Sequence, residues 1–209
     1  MKKLSFILLT SILFFTACKQ QSTPEERTVA EEQTAPDERK VLTPKETTKG
    51  GGWTKTPLEG QDGWEKAVSK DQMDKLVEEG YLYNGEREGQ WITFHVRNGL
   101  PATVTNYHAG KKQGVSLQLS DMGNLDVMMN FTNDALDGNR IVYKHSRIKE
   151  ESFFVDGKLE GDRRIYYDDG KLMEEGTFKN GEREGVSKWY NQAGEVTIET
   201  KYRNGKAVK

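Results

Sequence analysis

Apolar and polar residues alternate along most of this chain, most plainly where Val115, Leu117 and Leu119 interleave with Ser116, Gln118 and Ser120. After Asp121-Met122-Gly123-Asn124 the alternation resumes with Leu125, Val127, Met129 and Phe131 against Asp126, Met128 and Asn130. Period two on both sides of a glycine-containing turn predicts a β-hairpin with one apolar face. Further hairpin tips are expected at Asn98-Gly99, Asp169-Gly170 and Ala193-Gly194, and a tip without glycine near Ser146-Arg147. One segment departs from this period. Ser69-Lys70-Asp71-Gln72 has the form of a capping box, Met73, Leu76 and Val77 fall at helical spacing, and Gly80 can stop a helix. A short helix over about 70–79 is therefore expected, placed to cap the first hairpin unit.

The hairpins repeat. Asn84-Gly85-Glu86-Arg87-Glu88-Gly89 recurs residue for residue as Asn180-Gly181-Glu182-Arg183-Glu184-Gly185, with weaker copies between. Glycine pairs four residues apart occur at Gly85/Gly89, Gly110/Gly114, Gly157/Gly161 and Gly181/Gly185. Asp134 with Gly138 stands in for a fifth, and Gly205 opens a sixth. Successive starts differ by 25, 24, 23, 24 and 24 residues. A fixed period of this length marks a stacked-unit architecture, in which each unit buries its apolar face against its neighbours. The glycines are expected where the chain reverses between units, and Asp134 predicts a locally different junction.

Counting nine residues from each start reaches Phe94, Leu119, Tyr143, Tyr166 and Tyr190; three before the next start stand Tyr107, Phe131, Phe154, Phe178 and Tyr202. These two sets are expected to stack on one face of a continuous antiparallel meander. The opposite face then holds Trp91, Val104, Val142, Ile165, Tyr167 and Trp189, of which Trp91, Ile165, Tyr167 and Trp189 form the candidate binding face. The alternative is that a second thin apolar layer, or the segment with Trp53 and Trp64, covers them. The fold class is accordingly mostly β, an elongated antiparallel meander of stacked hairpins with a short N-terminal helix and a disordered N-terminal tether.

The N-terminus adds an address. Met1-Lys2-Lys3 precedes an apolar run from Leu4 to Phe15 and then Thr16-Ala17-Cys18, the pattern of a signal peptide over residues 1–17. Phe15-Thr16-Ala17-Cys18 resembles a bacterial lipobox, which implies that Cys18 becomes a lipidated N-terminus. Two or three acyl chains, at about 0.8 kcal/mol per buried methylene, suffice for stable anchoring. Lys19 after Cys18 does not resemble the inner-membrane retention signal, so the outer membrane is the expected address. Residues 18–52 are poor in large apolar side chains and read as a tether. Residues 53–80 read as the helical cap segment and 81–209 as the repeat domain.

Composition narrows the chemistry. Removing Lys2 and Lys3 with the leader leaves 29 basic against 33 acidic residues, which does not suit a nucleic-acid groove. Cys18 is the sole cysteine, so no disulfide forms within the chain. His95, His108 and His145 occupy different repeat registers and are not expected to converge on a metal, and no cofactor is expected. No Gly-x-Ser-x-Gly, phosphate-loop or His-Glu-x-x-His motif is present. Junction carboxylates such as Glu182 and Glu184 read first as turn residues and second as the acids of a glycan-acting enzyme.

Gly181-Glu-Arg-Glu-Gly185 through Trp189-Tyr190, Gly194 and Tyr202-Arg-Asn-Gly205 resembles the MORN repeat variant of bacterial proteins. Asp156-Gly157 to Gly161, Tyr166-Tyr167, Asp169-Gly170-Lys171-Leu172 and Glu175-Gly176-Thr177-Phe178 fit the same pattern, and the resemblance runs from about Tyr81 to Lys209. The nearest relatives it implies are YwqK-like proteins, often described as antitoxins. The expected function is a lipid-anchored envelope module that binds a protein or glycan without catalysis. An immunity protein neutralising a toxin and a glycan-acting enzyme remain the alternatives.

Overall fold

A computed structural model describes residues 52–208; the expectations for the signal peptide, Cys18 and the tether as far as residue 51 lie outside them. The chain runs through β1 (Thr54–Pro57), β2 (Trp64–Lys70), β3 (Leu76–Tyr83), β4 (Glu86–Phe94), β5 (Pro101–His108), β6 (Lys111–Leu119), β7 (Leu125–Thr132) and β8 (Ala135–Lys144). It continues through β9 (Arg147–Val155), β10 (Lys158–Leu159), β11 (Gly161–Tyr166), β12 (Leu172–Lys179), β13 (Glu182–Tyr190), β14 (Val196–Arg203) and β15 (Lys206–Val208). All pair antiparallel in one sheet, in sequence order, with β10 pairing only β9. The meander is as the sequence predicts.

Two kinds of turn alternate along it. Junctions between units are two-residue loops with both residues at positive φ, as in Asn84 (50°) and Gly85 (86°) between the paired Tyr83 and Glu86. Such primed turns match the right-handed twist of the strands, and glycine takes the second position without a Cβ penalty. Asp134 departs from the expectation of a different junction. At φ 69° it closes the same turn, and its carboxylate accepts the Lys112 N–H at 2.7 Å. The tips are mostly three-residue loops closed by a residue at positive φ, for example 168–170 ending in Gly170.

The expected helix over 70–79 is absent. Lys70 ends β2, Asp71 opens a three-residue tip, and β3 begins at Leu76. The Asp71 carboxylate accepts the N–H groups of Met73 and Lys75 at 2.8 and 2.9 Å. Asn191 does the same for Ala193 and Glu195 at another tip. A side chain that caps a turn imitates the start of a helix in sequence, and here Asp74 at φ 61° stands where other tips carry glycine. Gly80, read as a helix stop, serves packing instead: a Cβ there would overlap the Trp91 indole. Residues 53–80 are thus a further hairpin unit of the sheet, not a helical cap.

The core lies on one face. Leu82, Tyr107, Phe131, Phe154 and Phe178 are buried at equivalent positions of successive units. Trp91, Met129, Leu136 and Ile165 fill the same face. The ninth-position residues do not join them. Tyr166 and Tyr190 reach Glu151 and Glu175 on the second face, and Phe94, Leu119 and Tyr143 share their register. The reason is the tip. Each carries an extra bulge residue where the strands begin to separate, so Gln118 opposes Val127 whereas Leu119 opposes Leu125. Sequence parity is therefore no guide to face across a tip.

This separation gives a stability prediction. Phe178→Ala should cost about 3–5 kcal/mol in urea unfolding, in the range for deleting a buried aromatic ring. Tyr166→Ala should cost distinctly less, and equal losses would place both rings in one core.

Candidate interaction surface

Each junction is tied to the one before it. The N–H of the second turn residue donates to the preceding unit, from Gly110, Asp134, Gly157, Gly181 and Gly205 to the carbonyls of Arg87, Lys112, Leu136, Leu159 and Arg183, at 2.8 to 3.1 Å. The N–H of the first turn residue meets a side-chain oxygen. Ala109 donates to Glu88, Asn133 to Gln113, Asn180 to Glu160 and Asn204 to Glu184, at 2.7 to 3.1 Å. The second acid of the repeated hexapeptide is thus an acceptor for the next turn. The Ala109 N–H and His108 hold the Glu88 carboxyl below the usual carboxylate range, burial opposing them weakly.

Its arginine faces the core. Arg87 Nη2 pairs with both oxygens of Glu78, at 2.9 and 3.1 Å, and Nη1 donates to Tyr107 Oη at 2.9 Å. Its guanidinium lies 4.5 Å from the Trp91 ring centre, 5.0 Å from Tyr107 and 5.2 Å from Trp53. The Trp53 indole N–H donates to Glu78 at 3.0 Å, and its ring lies 5.0 Å from Trp91. In the second copy, Arg183 pairs with Glu174, donates to Ser187 Oγ at 3.0 Å and lies among Phe178, Trp189 and Tyr202. Glu-Glu-Gly is duplicated with it, at Glu78-Glu79-Gly80 and Glu174-Glu175-Gly176. Cation–π contact and a shielded ion pair act together at both stations.

These stations absorb much of the expected binding face. Trp91 is 1% exposed and Ile165 8%, both on the core face, so neither is a surface residue. The alternative that Trp53 covers part of this set is met at Trp91. Trp189 is half-buried beside Arg183 on the core face, and Tyr167, at a tip, donates its hydroxyl to the Tyr190 carbonyl at 2.6 Å. All ten repeat glycines lie at positive φ: Gly85, Gly110, Gly157, Gly181 and Gly205 in the turns, Gly89, Gly114, Gly138, Gly161 and Gly185 one bulge further on. The histidines are dispersed. His95 Nε2 lies 3.0 Å from the Leu119 carbonyl and His108 Nδ1 2.9 Å from Glu88, while His145 forms a tip turn.

Val104, expected opposite the rungs, does lie on the second face, in a row that sequence reasoning otherwise missed. Cross-strand register aligns Ile92, Val104, Leu117, Met128 and Ile141 in one row, all half-buried. The row continues as Glu151, Arg164, Glu175, Lys188 and Glu199, charges of alternating sign. Val115 is exposed beside the apolar part. The row as a whole is not legible without the bulge positions, because its members have different local parities.

Tyrosines brace the charged half. Tyr166 Oη donates to Glu151 at 2.7 Å and Tyr190 Oη to Glu175 at 2.6 Å. Burial, then the bond to Glu151, pushes the Tyr166 phenol up to about 12; the bond to Glu175 raises Tyr190 in the same direction. At one tip Lys149 and Lys144 hold the Asp168 carboxyl down at about 2. Nearby Asp162, Arg164, Glu175, Thr177 and Lys188 line a shallow recess on the second face.

Comparison with known proteins supports the repeat. Residues 159–180 and 183–204 match the MORN repeat variant, two adjacent units of the sheet. No curated protein matches the chain. Among solved structures, S. aureus TarM, including a mutant in complex with Fondaparinux, alpha-GlcNAc-glycerol and UDP, is 16% identical with a TM-score of 0.33, over 52% of this chain and 21% of TarM. A GtfA/B complex is 12% identical with a TM-score of 0.28, over 51% of this chain and 19% of its own. The chain spans about a fifth of the length of these structures.

The brace has a pH signature. A phenol with a raised folded-state pKa contributes stability in full below the unfolded value of about 10. That contribution is lost as pH rises towards about 12. Tyrosinate absorbance, differenced against Tyr166→Phe, should assign the late-ionising group to Tyr166, and Glu151→Gln should lower it. Ordinary ionisation of Tyr166 in the wild type would contradict the brace.

Proposed function

We propose that this protein is a lipid-anchored module of a bacterial cell envelope that binds a protein partner through the second face of its sheet, without catalysis. The carrying observation is the row Ile92, Val104, Leu117, Met128 and Ile141, a half-buried aliphatic strip on the second face of the sheet. Apolar surface framed by polar residues suits protein contact better than a sugar, whose recognition relies on hydrogen bonding. The lipobox-like Phe15-Thr16-Ala17-Cys18 supports attachment at Cys18, and Lys19 supports the outer membrane. The two MORN repeat variant matches support an interaction sheet, and the YwqK-like resemblance is consistent with it.

Two experiments test the parts separately. Metabolic labelling with palmitate should vanish in Cys18→Ala, and persistent labelling would remove the anchor from the proposal. In pull-downs from solubilised envelopes, Leu117→Asp should abolish capture of the partner while leaving the circular-dichroism spectrum of the sheet intact. Capture unaffected by Leu117→Asp but lost in Lys188→Ala would move the binding surface to the charged half and favour a glycan. A co-purifying toxin would identify the partner as the kind that an immunity protein neutralises.

A further inference from the structure

Between its two repeated arginine stations the core face carries a third cluster that is built differently. Arg140 Nη1 and Arg163 Nε both donate to the same oxygen of Glu150, Oε1, at 3.2 and 3.1 Å. The outer stations are closed by comparison. Glu78 offers both oxygens to a single arginine, and Arg183 has Glu174 and Ser187. Here two guanidiniums that stay charged at any physiological pH share one carboxylate.

The three side chains are 17%, 22% and 22% exposed, so water screens the surplus charge only in part. Arg140 Nε is buried and has no hydrogen-bond partner. A part-shielded cluster with surplus positive charge is incomplete as an electrostatic unit, and a ligand would meet the part-exposed guanidiniums rather than the buried Nε. Its natural complement is an oxyanion with two acceptor oxygens, which the planar guanidinium fork fits.

We propose that Arg140 and Arg163 form a receptor for one carboxylate of an acidic peptide segment. Charge counting selects the carboxylate. Two arginines and Glu150 leave one positive charge, which a carboxylate neutralises and a phosphate dianion would overshoot. The site lies on the core face, opposite the aliphatic row, and does not depend on the partner proposed there.

The test follows arginine Nε–H resonances of the full-length protein in detergent micelles, titrated with acetate and with a capped Gly-Glu-Gly peptide. Both probes should shift Arg140 and Arg163 saturably, leaving Arg87 and Arg183 in place, and phosphate at matched ionic strength should bind more weakly. Arg163→Gln should abolish the shift at Arg140. Glu150→Gln, which removes the competing charge and keeps the side-chain volume, should lower the acetate concentration at half-saturation; if Arg163→Gln does not fold, this variant decides. Absent shifts, equal shifts at all four arginines, preference for phosphate or no tightening in Glu150→Gln would each overturn the proposal. Failure to capture a protein through Leu117 would leave this result untouched.

Discussion

The hydrogen bonds that hang each junction turn from the one before it set the geometry on which everything else depends. A two-residue turn on its own fixes only the two strands it joins. Here the second turn residue also donates to the carbonyl two residues past the preceding turn, and the first donates to a side chain three residues past it. The link is carried by backbone and by short acidic or amide side chains, so it survives variation elsewhere in the unit. It locks successive hairpins at a common stagger. That stagger brings Tyr107, Phe131, Phe154 and Phe178 into one rung line.

Among the described residues no second layer covers the apolar side of the sheet, so covering there comes from neighbours on the same face. The bulky aromatic rungs supply part of it. The arginines of the repeated hexapeptide supply another part, lying across rings while their charge is met by Glu78 or Glu174. A long side chain with a flat charged end covers rings as an aliphatic one would, provided the charge is paired. At the first station Trp53 adds a lid over Trp91, and Gly80 leaves room beneath it. Among the described residues the edge strand β1 is blunted by Lys55 and Pro57.

Period, junctions and the glycine-bearing tips were legible because they depend on turn chemistry, which is local. The assignment of faces was not, because the bulge beside each tip changes which side chains share a face without leaving a residue signature. Trp91 and Ile165 were therefore expected on a binding surface and lie in the core, while Tyr166 and Tyr190 were expected in the core and brace the second face. Asp71 was read as part of a capping box because an aspartate closing a turn and one starting a helix use the same side-chain acceptor. Arg87 and Arg183 were passed over for the acids beside them. Their exact duplication together with Glu-Glu-Gly was the available signal.

Amide hydrogen exchange at the junctions tests the ladder of turns most directly. In an isolated two-residue hairpin these turn amides face solvent, whereas here Gly110, Gly157, Gly181 and Gly205 donate to the preceding unit. Their protection should match that of mid-strand amides, and Glu184→Ala should release the Asn204 amide while Gly205 stays protected. Junction amides exchanging as fast as those of an unstructured peptide, in a protein whose strands remain protected, would contradict the account.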